Sequence, residues 1–348
     1  EGHTRTMDSP LLTFVIPAYN METYLGRCVG SLTSTEYTDR IEVIIVDDGS
    51  SDGTAHLADV LARKFPNIIR VVHQTNKGHG GAVNTGIDRA RGLYVKVVDA
   101  DDWVGADSLR RVMETLTKQA ESPSPVDLLV TDYVYDKVGK RVKHVVRFTN
   151  VMKPNKLLGW NDLGHFGIAQ YMIMHALTFR TEVVRASGMR LPEHTFYVDF
   201  IYSYQPFPWV TSIMYLDTPF YHYFIGRDGQ SVQTDVMIRR VDQLRRVNRL
   251  MTLATPEKGT VPDGLYRYMI HFLAINSLLT SVFLILSKDP KNYEAKQQLW
   301  KDIDAFSPRI GHDVRHKLIS RAINLPGHTG RLIIRRGYRV AERVVGFN

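Results

Sequence analysis

Between residues 11 and 135 the chain alternates short β-branched runs with segments of helical period, and few folds accommodate that alternation. Strands are expected at 11–17 (LLTFVIP), 41–48 (IEVIIVDD), 68–74 (IIRVVHQ), 93–100 (LYVKVVDA) and 127–135 (DLLVTDYVY), with helices at about 22–34, 53–64, 80–91 and 106–120. The expected fold is α/β: a Rossmann-like, mostly parallel sheet flanked by helices. Beyond residue 135 the pattern turns mixed, and from about Asp235 onward it is helical in period. This divides the chain into a domain over 7–234 and a helical, basic region over 235–348. The six residues before Met7, EGHTRT, have no apolar core and read as an expression remnant.

Hydrophobic residues make up 44% of the 348, enough to fill a core. A single cysteine, Cys28, excludes an intramolecular disulfide framework and a thiolate zinc site, which suits a reducing, cytoplasmic setting. The net charge of +8 is unevenly placed: residues 309–348 hold nine Lys or Arg against two acids, a net of +7. Within that tail, RLIIRRGYRVAERVVGF sets apolar residues among five arginines, the pattern of a basic amphipathic helix at the inner face of an anionic membrane. A subunit interface, including a homo-oligomer, fits the same pattern. Only Tyr338 and Phe347 interleave with its charges, which argues against nucleic acid. The most apolar stretch, 271–287, has only 17 residues and is interrupted by Asn276, Ser277, Thr280 and Ser281, so it reads as a buried core helix.

In open α/β sheets, ligands bind beyond the carboxyl ends of the strands. Four polar clusters sit there: PAYN (17–20), VDDGSSDGT (46–54), HQTNKGHGG (73–81) and DADDW (99–103). Each alone is ordinary turn or cap chemistry. Together they place several carboxylates on one rim, where like charges need a positive partner. Mg2+ or Mn2+, held by one or two carboxylates and substrate phosphates, supplies it economically. Asp47 and Asp48 could accept hydrogen bonds from a base or ribose. The glycine-rich NKGHGGAVNTGI would let backbone approach phosphates, with Lys77 or His79 nearby.

These motifs, with EHTFYVDF and YHYFIGRDGQSV following in order, resemble those of family 2 glycosyltransferases of the GT-A fold, over roughly residues 11–232. The resemblance implies a nucleotide-sugar donor, most of all a UDP-sugar. The acceptor would be a glycan, lipid-linked or protein-linked hydroxyl, as in bacterial cell-surface or exopolysaccharide assembly. Pro17, Ala18 and Tyr19, with Asp47 or Asp48, would cradle the nucleoside, and Asn76, Gly78 and Asp99 would complete its site. Asp101 would ligate the metal, Asp99 would be shared between ribose and metal, and Asp102 either joins them or caps the next helix. Asp199 would be the general base of an inverting displacement, with Glu193 a distant second. Lys77, His79, Arg227, Gln230 and Ser231 would serve the diphosphate or close over it. His175 and His165 precede the base, and Trp160, Tyr197 and Trp209 could stack on an acceptor sugar or simply pack.

Two departures stand out: Val198 occupies the place of a common Glu before Asp199, and Val83 that of a common Arg before Asn84. They leave room for an inactive, transferase-like scaffold subunit. A nicotinamide enzyme fits less well, because GHGGAV follows the third strand and lacks the third glycine of G-x-G-x-x-G. A sugar nucleotidyltransferase would open with a glycine-rich, basic loop after strand one, which PAYNMETYLGR is not.

Overall fold

The computed structural model describes residues 9–139, 141, 143–226, 230 and 233–317. Residues 1–6, Met7, Arg227, Ser231 and the basic 331–348 segment lie outside them. The chain divides into two compact units. The first is built from residues up to 159, 172–195 and 209–224, the second from 160–171, 196–208 and 225 onward.

Among the described residues the first unit holds a nine-stranded sheet. Its strands are β1 Leu12–Ala18, β2 Ile41–Asp47, β3 Ile69–His73, β4 Tyr94–Val97, β5 Trp103–Val104, β6 Leu128–Lys137, β7 His144–Val146, β8 Leu177–Arg180 and β9 Ile213–Ile225. The path runs β3-β2-β1-β4-β8-β6-β9-β5, with β7 on β6. Parallel pairing covers β1 to β4. Beyond β4 the sheet turns antiparallel at β8, and so do β6 and β5 against their neighbours. The expected parallel sheet is thus only its first half. Strands β1, β2 and β4 are buried along their whole length, as strands covered on both faces must be.

The crossover helices are α1 Leu25–Thr33, α2 Thr54–Lys64, α3 Gly78–Arg89 and α4 Ala106–Glu121, with the short α5 Thr181–Ala186 after β8. The glycine-rich segment thus enters the expected helix, which begins at Gly78, two residues before the expected start. At Gly86 a Cβ would meet Val15 Cγ1 of β1 at 2.1 Å, so α3 lies flat on the sheet only because no side chain is there. On the edge opposite the polar rim, Glu42 is buried beneath Arg70 at 2.8 Å and Arg91 at 2.6 Å and accepts from Thr13 Oγ1 at 2.8 Å. Those hydrogen bonds hold its carboxyl below the usual range against the opposing effect of burial, which is the largest single influence on it.

The second unit is helical: α6 Asp199–Tyr202, α7 Thr234–Arg239, α8 Val241–Ala254, α9 Asp263–Leu286, α10 Pro290–Phe306 and α11 Pro308–Arg315. Helix α9 contains the apolar stretch and runs to 24 residues. It is long and apolar enough to cross a membrane, yet 72% of its most apolar window is buried inside the protein. Its polar residues are used there. Asn248 Nδ2 donates to Asn276 Oδ1 at 3.0 Å and Ser277 Oγ at 2.9 Å, and Trp300 Nε1 donates to Ser281 Oγ at 3.0 Å. Asp289 and Ser307 cap α10 and α11 through their side chains, each helix having Pro in its first turn.

Candidate active site

The first unit gathers the predicted polar residues at the carboxyl ends of β1, β2, β3 and β4. Strand β1 ends on buried Pro17 and Ala18 and then presents Tyr19, 49% exposed, a free aromatic face at the rim. Asn20 follows with φ 51°, and its Oδ1 accepts from the Ser51 N–H at 2.8 Å, tying the first two strand ends together.

Asp47 and Asp48 are both buried and already engaged. Asp47 accepts from the Ser50 N–H at 3.1 Å and meets His73 Nδ1 at 2.8 Å, while His73 Nε2 reaches Asp59 at 2.9 Å. The two carboxylates raise the His73 pKa above its ordinary value. Asp48 Oδ1 accepts from Gln74 Nε2 at 2.8 Å and the Lys77 N–H at 2.9 Å, and the Asp48 carbonyl accepts from Asn76 Nδ2 at 2.9 Å. These side chains therefore build the loop that launches α3. The loop turns at Gly78, φ 78°, where a Cβ would stand 2.8 Å from the His194 nitrogen.

From the first turn of α3, His79 Nε2 reaches Asp99 Oδ1 at 2.7 Å. Lys77 is partly exposed and lies 4.0 Å from exposed Glu193, so that pair is loose. The Asp99–Asp102 turn closes with Asp102 N–H to Asp99 O at 3.0 Å. Arg27 of α1 donates to the Asp101 carbonyl at 3.0 Å and lies over the rings of Trp103 at 4.0 Å and Phe224 at 4.7 Å. Sequence reasoning missed Arg27, and nothing in its local sequence marks it.

The turn divides its three carboxylates. Asp102 is fully buried, and both its oxygens are taken by β9: Tyr221 OH donates at 2.5 Å and the Phe224 N–H at 2.8 Å. Burial, then the charges of Asp101 and Asp99, push its pKa well up. Asp102 does not cap α4, whose N-cap is Gly105. Asp99 is partly exposed and Asp101 is 8% exposed. Among the described residues no three His, Cys, Asp or Glu side chains form a ready-made metal cage. Two hard oxygen donors at a strand end fit a divalent cation that takes its other ligands from phosphate and water.

Below the turn, Lys96 of β4 is fully buried, and Nζ donates to the carbonyls of His175 at 2.9 Å and Leu177 at 3.1 Å. Burial lowers its pKa to about 7. His175 is buried as well, its pKa lowered to about 4 chiefly by burial, with its ring stacked on Tyr221.

The remaining predicted residues fall elsewhere. Asp199 opens α6 in the helical unit, two residues after Tyr197, a bulky residue held at φ 64°. Such a conformation is strained and is found preferentially at functional segments. Gln230 is buried in the same unit and accepts from the Gly226 N–H at 2.8 Å. Trp160 is core, packed on Phe207 and Tyr268, and Tyr197 is buried, whereas Trp209 is 46% exposed and His165 is exposed.

Residues 13–175 match the family model described as Glycosyl transferase family 2. Among curated proteins, the chain is 29% identical over 238 residues to the putative glycosyltransferase EpsH of Bacillus subtilis, a match covering 63% of this chain and 62% of EpsH. The chain thus spans less than two thirds of that relative's length. Among solved structures, S. aureus TarS residues 1–349, in complex with UDP-GlcNAc, superposes with a TM-score of 0.67 at 18% identity, covering 94% of this chain and 92% of that one. A mannosyltransferase from Pyrobaculum calidifontis, in complex with GDP-Man and Mn2+, gives 0.51 at 16% identity over 91% and 87%. At these identities the likeness is one of fold, and the fold is that of the GT-A class.

Proposed function

We propose, from the match of residues 13–175 to the model of glycosyl transferase family 2, that the chain belongs to that family and moves a sugar from a nucleotide-sugar, most of all a UDP-sugar, to a hydroxyl of a glycan, lipid-linked or protein-linked acceptor, with inversion. The observation that carries this reading is the meeting of Tyr19, the Asp48-built loop, and the His79–Asp99–Asp101 group along one sheet edge. That edge offers an aromatic face for a base, a helix start for phosphate, and carboxylates for a cation.

In this reading the base lies against Tyr19, beside Pro17 and Ala18. Asp47 and Asp48 act mainly by stiffening the loop that carries Asn76, Lys77 and Gly78. Asp99, fixed by His79, faces the ribose and metal, and Asp101 is the principal metal ligand. Asp99 and Asp101 would hold Mn2+ or Mg2+, which would supply positive charge against the departing diphosphate. Lys77, His79, Arg227, Gln230 and Ser231 are assigned to the diphosphate side. Asp199 takes the proton of the acceptor hydroxyl as its oxygen bonds to the anomeric carbon. The bond from that carbon to the diphosphate oxygen breaks, and nucleoside diphosphate leaves with the electron pair. A single displacement needs no covalent enzyme intermediate.

The proposed setting is cytoplasmic, at the inner face of the plasma membrane, with the basic 331–348 segment as its contact. A panel of sugar nucleotides, each with and without Mn2+, tests the function through thermal stabilisation and release of nucleoside diphosphate. One donor should stabilise the protein and be turned over only with the metal. If no donor does either, the reading fails. Stabilisation without any turnover favours the scaffold alternative that Val198 and Val83 leave open.

A further inference from the structure

One phenol bridges the two ends of the turn that carries Asp99 and Asp101. Tyr221 of β9 accepts a hydrogen bond from the Asp99 N–H at 3.1 Å and donates one to Asp102 at 2.5 Å, so a single hydroxyl spans both ends of the turn. The same strand holds the turn twice more. Phe224 N–H takes the second Asp102 oxygen, and Trp103–Val104 pair with His222 and Tyr221.

The ring of Tyr221 is held as firmly as its hydroxyl. His175 stacks on it with centroids 4.4 Å apart and planes 2° from parallel. Lys96 Nζ stands 5.5 Å from the same ring and donates to the His175 carbonyl, fixing the backbone that carries the stacking imidazole. Nδ1 of His175 is buried without a hydrogen-bond partner among the described residues, and its ring serves as a packing face. Apolar side chains would pair these strands at less expense in desolvation than a buried lysine, phenol, carboxylate and imidazole.

We propose that Tyr221 is a positioning residue for the metal-bearing turn. It commits Asp102 to the strand, fixes the Asp99 backbone, and so sets the spacing at which Asp99 and Asp101 meet a divalent cation carrying a nucleoside diphosphate. The hydroxyl is the necessary part, because it donates at one end of the turn and accepts at the other, which no phenylalanine can do. The inference rests on the transferase reading above.

The test uses the full chain and compares Tyr221→Phe with Tyr215→Phe. Tyr215 also lies on β9 and donates a buried phenol hydrogen bond to a carboxylate, Asp132 at 2.6 Å, so the second variant loses the same kind of bond on the same strand. Mn2+ binding in the presence of UDP is read by calorimetry and by the Mn2+ paramagnetic resonance spectrum, alongside the melting temperature. Tyr221→Phe should weaken Mn2+ binding tenfold or more and broaden the spectrum, while Tyr215→Phe leaves both unchanged at a similar loss of melting temperature. Asp102→Asn, which keeps its shape but replaces one of its two acceptor oxygens with a donor, should weaken Mn2+ binding in the same direction. Equal Mn2+ affinity in the two tyrosine variants overturns the proposal. A wild-type chain that binds UDP with Mn2+ and a Tyr221→Phe variant that does so equally well would sink this inference alone. A wild-type chain that binds no UDP with any cation would sink the transferase reading, and this inference with it.

Discussion

His79 and Asp99 meet at 2.7 Å, joining the first turn of α3 to the first carboxylate of the turn after β4. A carboxylate only accepts, so Nε2 carries the proton of this bond. The pair brings two separate sequence motifs together and orients Asp99. His79→Ala releases that carboxylate and should weaken UDP binding in the presence of Mn2+ by about tenfold, the size of one charge-assisted hydrogen bond. His79→Gln, which keeps a donor, should recover part of the loss. Titration calorimetry on the three proteins reads the series.

Asp101 and Asp199 are assigned different tasks, and the assignment separates in kinetics. Asp101→Ala should abolish Mn2+-dependent nucleotide binding and turnover together. Asp199→Asn should lower sugar transfer by about 10²- to 10⁴-fold, the usual range for a general base, with UDP affinity unchanged. Single-turnover assays beside nucleotide titrations distinguish the two patterns. An Asp199→Asn enzyme that keeps most of its transfer rate removes Asp199 from the mechanism.

Buried His175 makes a statement about stability and pH. Its folded pKa of about 4 lies below the ordinary 6.5, so between those values the unfolded chain binds more protons than the folded one. Its contribution to stability is therefore full above pH 6.5 and is lost as pH falls toward 4, with a ceiling of roughly 3 kcal/mol. Asp102, whose pKa is raised, opposes this on acidification, so the difference between two proteins is the useful quantity. His175→Phe keeps the stack on Tyr221 and should lose stability less steeply than wild type between pH 6.5 and 4.5. Urea denaturation at three pH values gives the slopes.

The amide of Asn248 serves two acceptors on α9, Asn276 and Ser277, in a region sealed from water. Asn248→Ala leaves both without that donor and should lower unfolding stability by about 1–3 kcal/mol, while Mn2+ and UDP binding stay at wild-type values. Chemical denaturation and nucleotide titration check the two halves of this expectation.

The parallel half of the sheet was legible because β1, β2 and β4 are covered on both faces and so appear as mostly apolar runs, interrupted by Thr13, Glu42 and Lys96. The antiparallel half was less so. Strand β8 has four residues and β5 only two, and each is a strand through its partners rather than its own sequence. The rim motifs could be read because strand-end clusters are local in sequence. Tyr221 could not be, since it meets Asp102 from 119 residues away and looks like any aromatic in a strand. Lys96 was visible as a charge within LYVKVVDA, but only the fold reveals that its partners are carbonyls. In α9 the polar interruptions were correctly read as belonging to a buried helix, although their partners on α8 and α10 lie beyond any local pattern.

The bare Gly86 has a consequence some distance away. A methyl group there would press on Val15 and lift α3 from the sheet at that point, while the Asp48 bond to the Lys77 N–H still anchored the helix start. Gly86 is seven positions on from His79, and about 10 Å of rigid helix would turn that lift into a tilt. The glycine therefore acts as a thickness gauge between helix and sheet, through which a substitution touching no ligand would move His79 off Asp99 and detune the rim.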